Sequence, residues 1–154
     1  MNDTSNRMNN PDTVRGTIFE EFVKGMFPAA QFKILLESEG RGSKVPDFYI
    51  KDLNKGYKFW VEAKNRRGLY HGEIAVFGDR PDRLNVLHAF QGIVLPESVF
   101  VVLGVGEDPA SPDSLFRIPV KEMRYASLRT DFLRDWTCGR SFTRYDNYKL
   151  ISSD

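Results

Sequence analysis

The sequence predicts an α/β fold in which helices flank a central mixed β-sheet in three layers. Amphipathic helical stripes and short strand-like runs follow one another in the order α-β-β-β-α-β, and further elements come after them. Residues 98–105 form a continuous apolar run after the initial Ser98, as expected for a strand that is covered on both faces. The length of 154 residues suits one domain with a proper core.

The first half of the chain is predicted to hold one helix and three strands. Asp12 or Thr13 can cap a helix that ends before Pro28 and carries apolar residues from Ile18 to Phe27 on one side. Strands are predicted over residues 31–37, 47–51 and 57–64, with a hairpin turn over residues 52–56.

The second half is predicted to add a helix, at least two strands and a C-terminal extension. A short strand is expected around residues 73–77. The second helix is predicted over residues 80–91, with Asp79 as N-cap, Pro81 in its first turn and Gly92 after its end. Strands at residues 98–105 and 115–120 follow, then a helix over residues 121–136 and a strand over residues 141–151.

Composition excludes several classes of protein. Cys138 is the only cysteine, which rules out an internal disulfide framework and a cysteine-rich zinc site, and two histidines are too few to favour another kind of zinc site. No apolar run approaches the roughly 20 residues that span a membrane. Residues 1–12 are polar and are interpreted as a disordered lead rather than a signal peptide. We therefore expect a cytoplasmic protein without membrane contact.

Two carboxylates and a lysine stand out by their placement. Glu62 and Lys64 lie two residues apart on a predicted strand and therefore share one face, and no other acidic residue in the chain precedes a lysine by two. Asp47 opens the preceding strand, so its side chain is expected to approach Glu62. Paired carboxylates suit a hard cation such as Mg²⁺, with the lysine beside it. The alternative is a surface hairpin with an ordinary cross-strand salt bridge.

Four segments together resemble the PD-(D/E)xK nuclease superfamily, and most closely the archaeal Holliday-junction resolvases. They are residues 15–21, 38–43, 46–48 and 59–64, and the resemblance extends over residues 13–120 in the expected order of elements. It implies a restriction-endonuclease-like core over residues 13–122, with residues 123–154 as an extension packed on that core. It also implies that Asp47 and Glu62 are metal ligands, that Lys64 is the catalytic lysine and that Glu20 completes the site from the first helix.

The same resemblance implies a Mg²⁺-dependent DNA endonuclease, for which Mn²⁺ is expected to substitute, with no organic cofactor. A homodimer is expected, because cutting two strands with one site per chain favours two-fold symmetry. The substrate stays open between a branched junction, a duplex site and damaged DNA. The alternative function is a nuclease-fold protein that binds nucleic acid or protein without cleavage.

Further residues are candidates for contacts with DNA or for an accessory role. Ser38 and Arg41 match the polar loop near the substrate backbone in the resolvases. Arg66 and Arg67 directly follow the Glu-Ala-Lys strand and can pair with phosphates, although loop arginines are often simply solvated. Gln91 lies where related nucleases often carry a glutamine at the site, and its other interpretation is a residue that flanks the core.

Overall fold

A mixed β-sheet of five strands lies at the centre of the computed structural model, which describes residues 10–38 and 43–153. The elements, in chain order, are α1 (Pro11–Gly25), β1 (Phe32–Glu37), β2 (Phe48–Asp52), β3 (Lys58–Arg66), β4 (Glu73–Ala75), α2 (Arg83–Val94), β5 (Ser98–Val105), β6 (Ser114–Pro119), a 3-10 turn (Val120–Glu122), β7 (Ser127–Arg129), α3 (Thr130–Arg134), β8 (Phe142–Asp146) and β9 (Lys149–Ser152).

The central sheet has the strand order β1-β2-β3-β5-β6. The β3–β5 pair is parallel, and the other three pairs are antiparallel. Two small sheets accompany it, one formed by β4 with β7 and the other by β8 with β9. The prediction of a mixed α/β protein with a central mixed sheet and helices is therefore confirmed.

The two faces of β3 contribute to two different hydrophobic clusters. Phe59, Val61 and Ala63 pack in a cluster with the buried residues of α1, whereas Trp60 packs in the cluster that contains the buried residues of α2. This alternation is the one that the period-two pattern of β3 predicts. Glu62 belongs to the second face, where it bonds to the first residue of α2. The sheet thus has α1 on one side and α2 on the other.

Both long helices begin and end at residues other than the predicted ones. Helix α1 starts at Pro11, and the cap is Asn10, whose side chain accepts from the backbone N of Asp12 at 2.8 Å, so the predicted caps Asp12 and Thr13 are wrong. A proline in the first helical position needs no N–H partner, which explains the earlier start.

Helix α2 starts at Arg83 rather than at residue 80, and its cap residue is Asp82 rather than Asp79. It continues through Gly92 to Val94. Its end is set by Pro96, because Leu95 before that proline takes an extended conformation with ψ 139°.

The prediction of a helix over residues 121–136 is wrong. That segment holds the 3-10 turn, then β7, and only the five residues of α3 are α-helical. Strand β7 pairs with β4. Leu128 lies opposite Ile74 in this pair, and both side chains are buried. The predicted strand over residues 141–151 is a hairpin, which turns at Asn147 and Tyr148, both with positive φ.

Within residues 10–38 and 43–153, no helix has both the length and the apolar character that a membrane span requires. After Trp136, four residues pack in the cluster that contains the buried residues of α1: Cys138, Phe142, Tyr145 and Leu150.

Candidate active site

Pairing of β2 with β3 places Asp47 beside Glu62. Phe48 lies opposite Val61 in this antiparallel ladder, so the next step along it sets Asp47 against Glu62. Asp47 is fixed from two sides: its Oδ2 accepts from the backbone N of Ala63 at 2.8 Å, and its carbonyl accepts from the backbone N of Ser38 at 2.8 Å. Asp47 lies one residue before β2 rather than inside a strand, and its position depends on these two bonds.

Glu62 is a buried carboxylate that is paired with an arginine. The whole residue is 1% exposed. Arg83 grips it with two bonds, from Nε to Oε2 at 2.7 Å and from Nη2 to Oε1 at 3.1 Å. Such bidentate pairs between a guanidinium and a carboxylate are among the stronger hydrogen bonds in proteins. The Nζ of Lys64 lies 3.9 Å from Oε2, so the lysine is a second and more distant cation.

Arg83 also holds the segment that leads to Asp47. Its Nη1 donates to the carbonyl of Ser43, and its Nη2 donates to the carbonyl of Val45 at 3.2 Å. Sequence reasoning did not select Arg83. One signal for it exists, because a cation at the first position of a helix opposes the helix dipole and needs a compensating anion.

Glu20 approaches the same cluster from α1. Its side chain is half-buried, and its pKa is raised by burial and by the negative charge of Glu62, against the opposing charge of Lys64. Among the described residues its carboxylate has no hydrogen bond or ion pair. Burial and then the charge of Glu62 raise the pKa of Asp47 to about 8, although the amide of Ala63 opposes that shift. The three predicted acids and Lys64 therefore act on one another electrostatically.

The chemistry of this donor set fits a divalent cation, because hard carboxylate oxygens are the ligands that Mg²⁺ prefers. In this structure, however, the partner of the Glu62 carboxylate is Arg83. No group of three His, Cys, Asp or Glu side chains within residues 10–38 and 43–153 is spaced to hold a metal ion. Both oxygens of Glu62 are engaged by Arg83, so a metal ion at Glu62 would compete with the guanidinium for the same carboxylate.

The remaining predicted residues have different surroundings. Ser38 lies beside Asp47 through its backbone, and Arg41 lies outside the described residues. Arg66 is half-buried and donates to the carbonyls of Ala75 at 2.9 Å and Asn65 at 2.8 Å, and burial lowers its pKa. Arg67 is exposed and has no bonding partner in the part of the chain that the structure describes.

Gln91 is used by the backbone rather than by the acidic cluster. Its Nε2 donates to the carbonyl of Glu97 at 2.7 Å, and its Oε1 accepts from the backbone N of Val99 at 2.9 Å. It thereby joins the second half of α2 to the start of β5. Eight residues separate it from Arg83, which is about 12 Å along a helix.

No protein-family model matches this sequence, and neither the curated proteins nor the solved structures give a significant match. The function therefore has to be inferred from the convergence of Glu20, Asp47, Glu62 and Lys64.

Proposed function

We propose that the protein is a Mg²⁺-dependent DNA endonuclease of the PD-(D/E)xK kind, a hydrolase that cuts phosphodiester bonds. The observation that carries the proposal is the convergence of three acids and a lysine at the junction of α1, β2 and β3, where burial and then the negative charge of Glu62 raise the pKa of Asp47 to about 8. Groups with strongly perturbed pKa values concentrate at functional sites. Like charges that are held together in this way favour the binding of a cation.

Each residue has a distinct role in this proposal. Asp47 is oriented through Oδ2 by the amide of Ala63, and Oδ1, which has no hydrogen bond from the described residues, is available to a ligand. Glu62 and Glu20 supply the other carboxylate oxygens. A bound Mg²⁺ would activate water and polarise the phosphate. The ammonium group of Lys64, beside Glu62, offsets the negative charge that develops on the phosphate in the transition state.

The proposal extends to the fold and the partner. Helices on both faces of a mixed sheet, with the acids at the β2–β3 pair, support a restriction-endonuclease-like core. DNA would be approached through local basic residues such as Arg67, because the net charge of only +1 gives little long-range attraction. A two-fold homodimer would present one site to each strand of a duplex.

A second candidate is a nucleic-acid-binding protein of the same fold that does not cut. Arg83 favours it, since the guanidinium neutralises Glu62 at the place where a metal ion would bind. In that case, the arginine is the permanent partner of the carboxylate, and the site has a structural role.

A plasmid-nicking assay separates the two candidates. We expect the wild type to nick supercoiled DNA with Mg²⁺ or Mn²⁺ and to be inactive in EDTA, and Asp47→Ala to be inactive with either ion. Lys64→Met removes the charge near the phosphate, so the single-turnover rate is expected to fall by about 100-fold or more. Lys58→Met is the matched control, because Lys58 is an exposed lysine on the same strand.

Cutting in EDTA, or a full rate for Lys64→Met, would exclude the proposed metal-dependent mechanism. DNA binding without nicking under any divalent cation supports the second candidate.

A further inference from the structure

Arg83 and Glu62 form a pair that is withdrawn from solvent. The side chain of Glu62 is 2% exposed and that of Arg83 is 14% exposed. A carboxylate removed from water in this way requires a cation, since an uncompensated buried charge is strongly destabilising. Lys64 stands 3.9 Å away, beyond hydrogen-bonding distance, so the guanidinium is the main source of compensation.

Arg83 occupies both oxygens of Glu62, each through one hydrogen bond. Nε of Arg83 engages Oε2, and Nη2 engages Oε1. A divalent ion on either oxygen would lie close to the guanidinium, and two positive centres repel strongly in such a poorly solvated place. Arginine and metal ion are therefore alternative partners of the same carboxylate.

The same guanidinium fastens the chain before Asp47. Nη1 is bonded to the carbonyl of Ser43, and Nη2 serves both Glu62 and the carbonyl of Val45. A planar guanidinium is rigid, so moving it off Glu62 disturbs these two bonds as well. Apart from the two bonds from Arg83, the described hydrogen bond of residues 43–45 lies within the segment itself. It runs from the backbone N of Val45 to Oγ of Ser43 at 3.2 Å.

We infer that Arg83 is an internal counter-cation that a divalent cation must displace from Glu62, and that this displacement releases residues 43–45 from α2. The inference rests on the proposed function only in taking Glu62 as a cation ligand. Without a cation, Arg83 neutralises the site and holds the segment in place. With a cation, the segment is freed directly before Asp47, so cation loading and the conformation of this segment are coupled.

Cation affinity tests the competition, and Mn²⁺ alone, without DNA, is the probe in isothermal titration calorimetry. Arg83→Met removes the competitor, so Mn²⁺ is expected to bind at least about tenfold more tightly than to the wild type. Arg83→Lys keeps a charge without the fork and should lie between the two. Arg117→Met is the matched control, because Arg117 is also half-buried and bonds to a carbonyl, that of Leu150 at 2.6 Å, but to no carboxylate. Its affinity should equal that of the wild type.

Limited trypsin digestion of the wild type tests the release and needs no variant. Lys44 is exposed within the fastened segment. Saturating Mn²⁺ is expected to speed cleavage after Lys44 several-fold relative to cleavage after the exposed Lys121, measured by mass spectrometry.

The possible failures are distinguishable. Equal or weaker Mn²⁺ binding by both Arg83 variants, or no acceleration at Lys44, overturns the inference; nicking by the wild type with Mg²⁺ would leave the proposed function standing. Absence of Mn²⁺ binding by the wild type and both variants overturns the inference together with the metal site. Mn²⁺ binding by Arg83→Met alone supports the inference and shows that Arg83 prevents cation binding completely in the wild type.

Discussion

The folded protein disfavours the ionised form of Asp47. Burial and the charge of Glu62 raise its pKa to about 8 from an ordinary value of 3.8. Between these two pH values the folded state keeps a proton that the unfolded state has released. The free energy of unfolding therefore falls as the pH rises from about 4 to about 8.

Replacing Asp47 with asparagine should remove this pH-dependent loss. The amide keeps the shape of the side chain and an oxygen that accepts from Ala63. We expect Asp47→Asn to raise the melting temperature at pH 8 by about 3 °C or more, and the gain to shrink toward pH 4, where the wild-type carboxyl is neutral in both states. Circular dichroism melts across this range measure the effect, with the exposed Asp135→Asn as control. A gain that is independent of pH would contradict the raised pKa.

Arg66 and Arg67 are neighbours with separable roles. The guanidinium of Arg66 is bonded to two backbone carbonyls, whereas Arg67 is exposed. We expect Arg66→Ala to lower the free energy of unfolding by about 1–3 kcal/mol, because a half-buried guanidinium loses two hydrogen bonds worth about 0.5–1.5 kcal/mol each. Arg67→Ala should leave stability unchanged and reduce the salt dependence of DNA binding by roughly one phosphate contact. Urea unfolding and fluorescence anisotropy at several salt concentrations measure the two effects. An unchanged salt slope would remove Arg67 from the DNA interface.

Helix α1 turns a different side toward the sheet than the apolar stripe alone predicts. Ile18, a member of that stripe, is 40% exposed, whereas Phe19 and Val23 are buried. The buried side is therefore rotated toward Glu20, which lies about 60° from Val23 around the helix axis. Glu21 points to solvent and pairs with Lys24 at 2.8 Å. The prediction that Glu20 lies at the border of the buried side and Glu21 outside it is confirmed.

This helix geometry gives a paired test. Glu20→Gln removes a carboxylate near Glu62 and Lys64, so the cleavage rate should fall strongly while the melting temperature holds or rises. Glu21→Gln removes a surface ion pair worth about 0.5 kcal/mol or less, and Lys24 keeps Glu37 at 3.0 Å as a partner. Its cleavage rate should match the wild type in single-turnover assays. Damage in the Glu21 variant alone would show that α1 contributes the other acid.

Elements that depend on local pattern were predicted well. The alternation of β3 and the unbroken apolar run of β5 reflect burial on fixed faces, which a sequence displays directly. The prediction of a helix after residue 120 is wrong, because β7 exists only through its pairing with β4, more than 50 residues earlier in the chain. Propensity cannot reveal a strand of three residues whose partner is so distant.

The candidate site divides in the same way. Glu62 and Lys64 follow from the two-residue period of one strand, and Asp47 from the adjacent strand of the hairpin. Arg83 was missed because its partners, Ser43, Val45 and Glu62, come from separate parts of the chain. A residue that acts by joining distant segments leaves only a weak trace in the sequence.

The C-terminal hairpin is built into the main core of the molecule. The backbone N of Phe142 donates to the carbonyl of Met26 at 2.8 Å, and its ring stacks on Phe27 at 4.9 Å. The buried carboxylate of Asp52, at the end of β2, accepts from the backbone N of Tyr145 at 2.7 Å. The hairpin therefore covers the face of the sheet that α1 covers, and the first and last parts of the chain should unfold together.

Phe142→Ala tests whether the chain unfolds as one cooperative unit. The ring is fully buried, so its loss should lower the free energy of unfolding by about 3–5 kcal/mol through the lost burial and the cavity left behind. Tyr125→Ala is the matched control, since this ring is 72% exposed and its removal should change stability by about 0.5 kcal/mol or less. Urea unfolding followed by both tryptophan fluorescence and circular dichroism should give coincident transitions for each variant. A near-neutral Phe142→Ala, or two separate transitions, would mean that the hairpin folds apart from the sheet that carries Asp47 and Glu62.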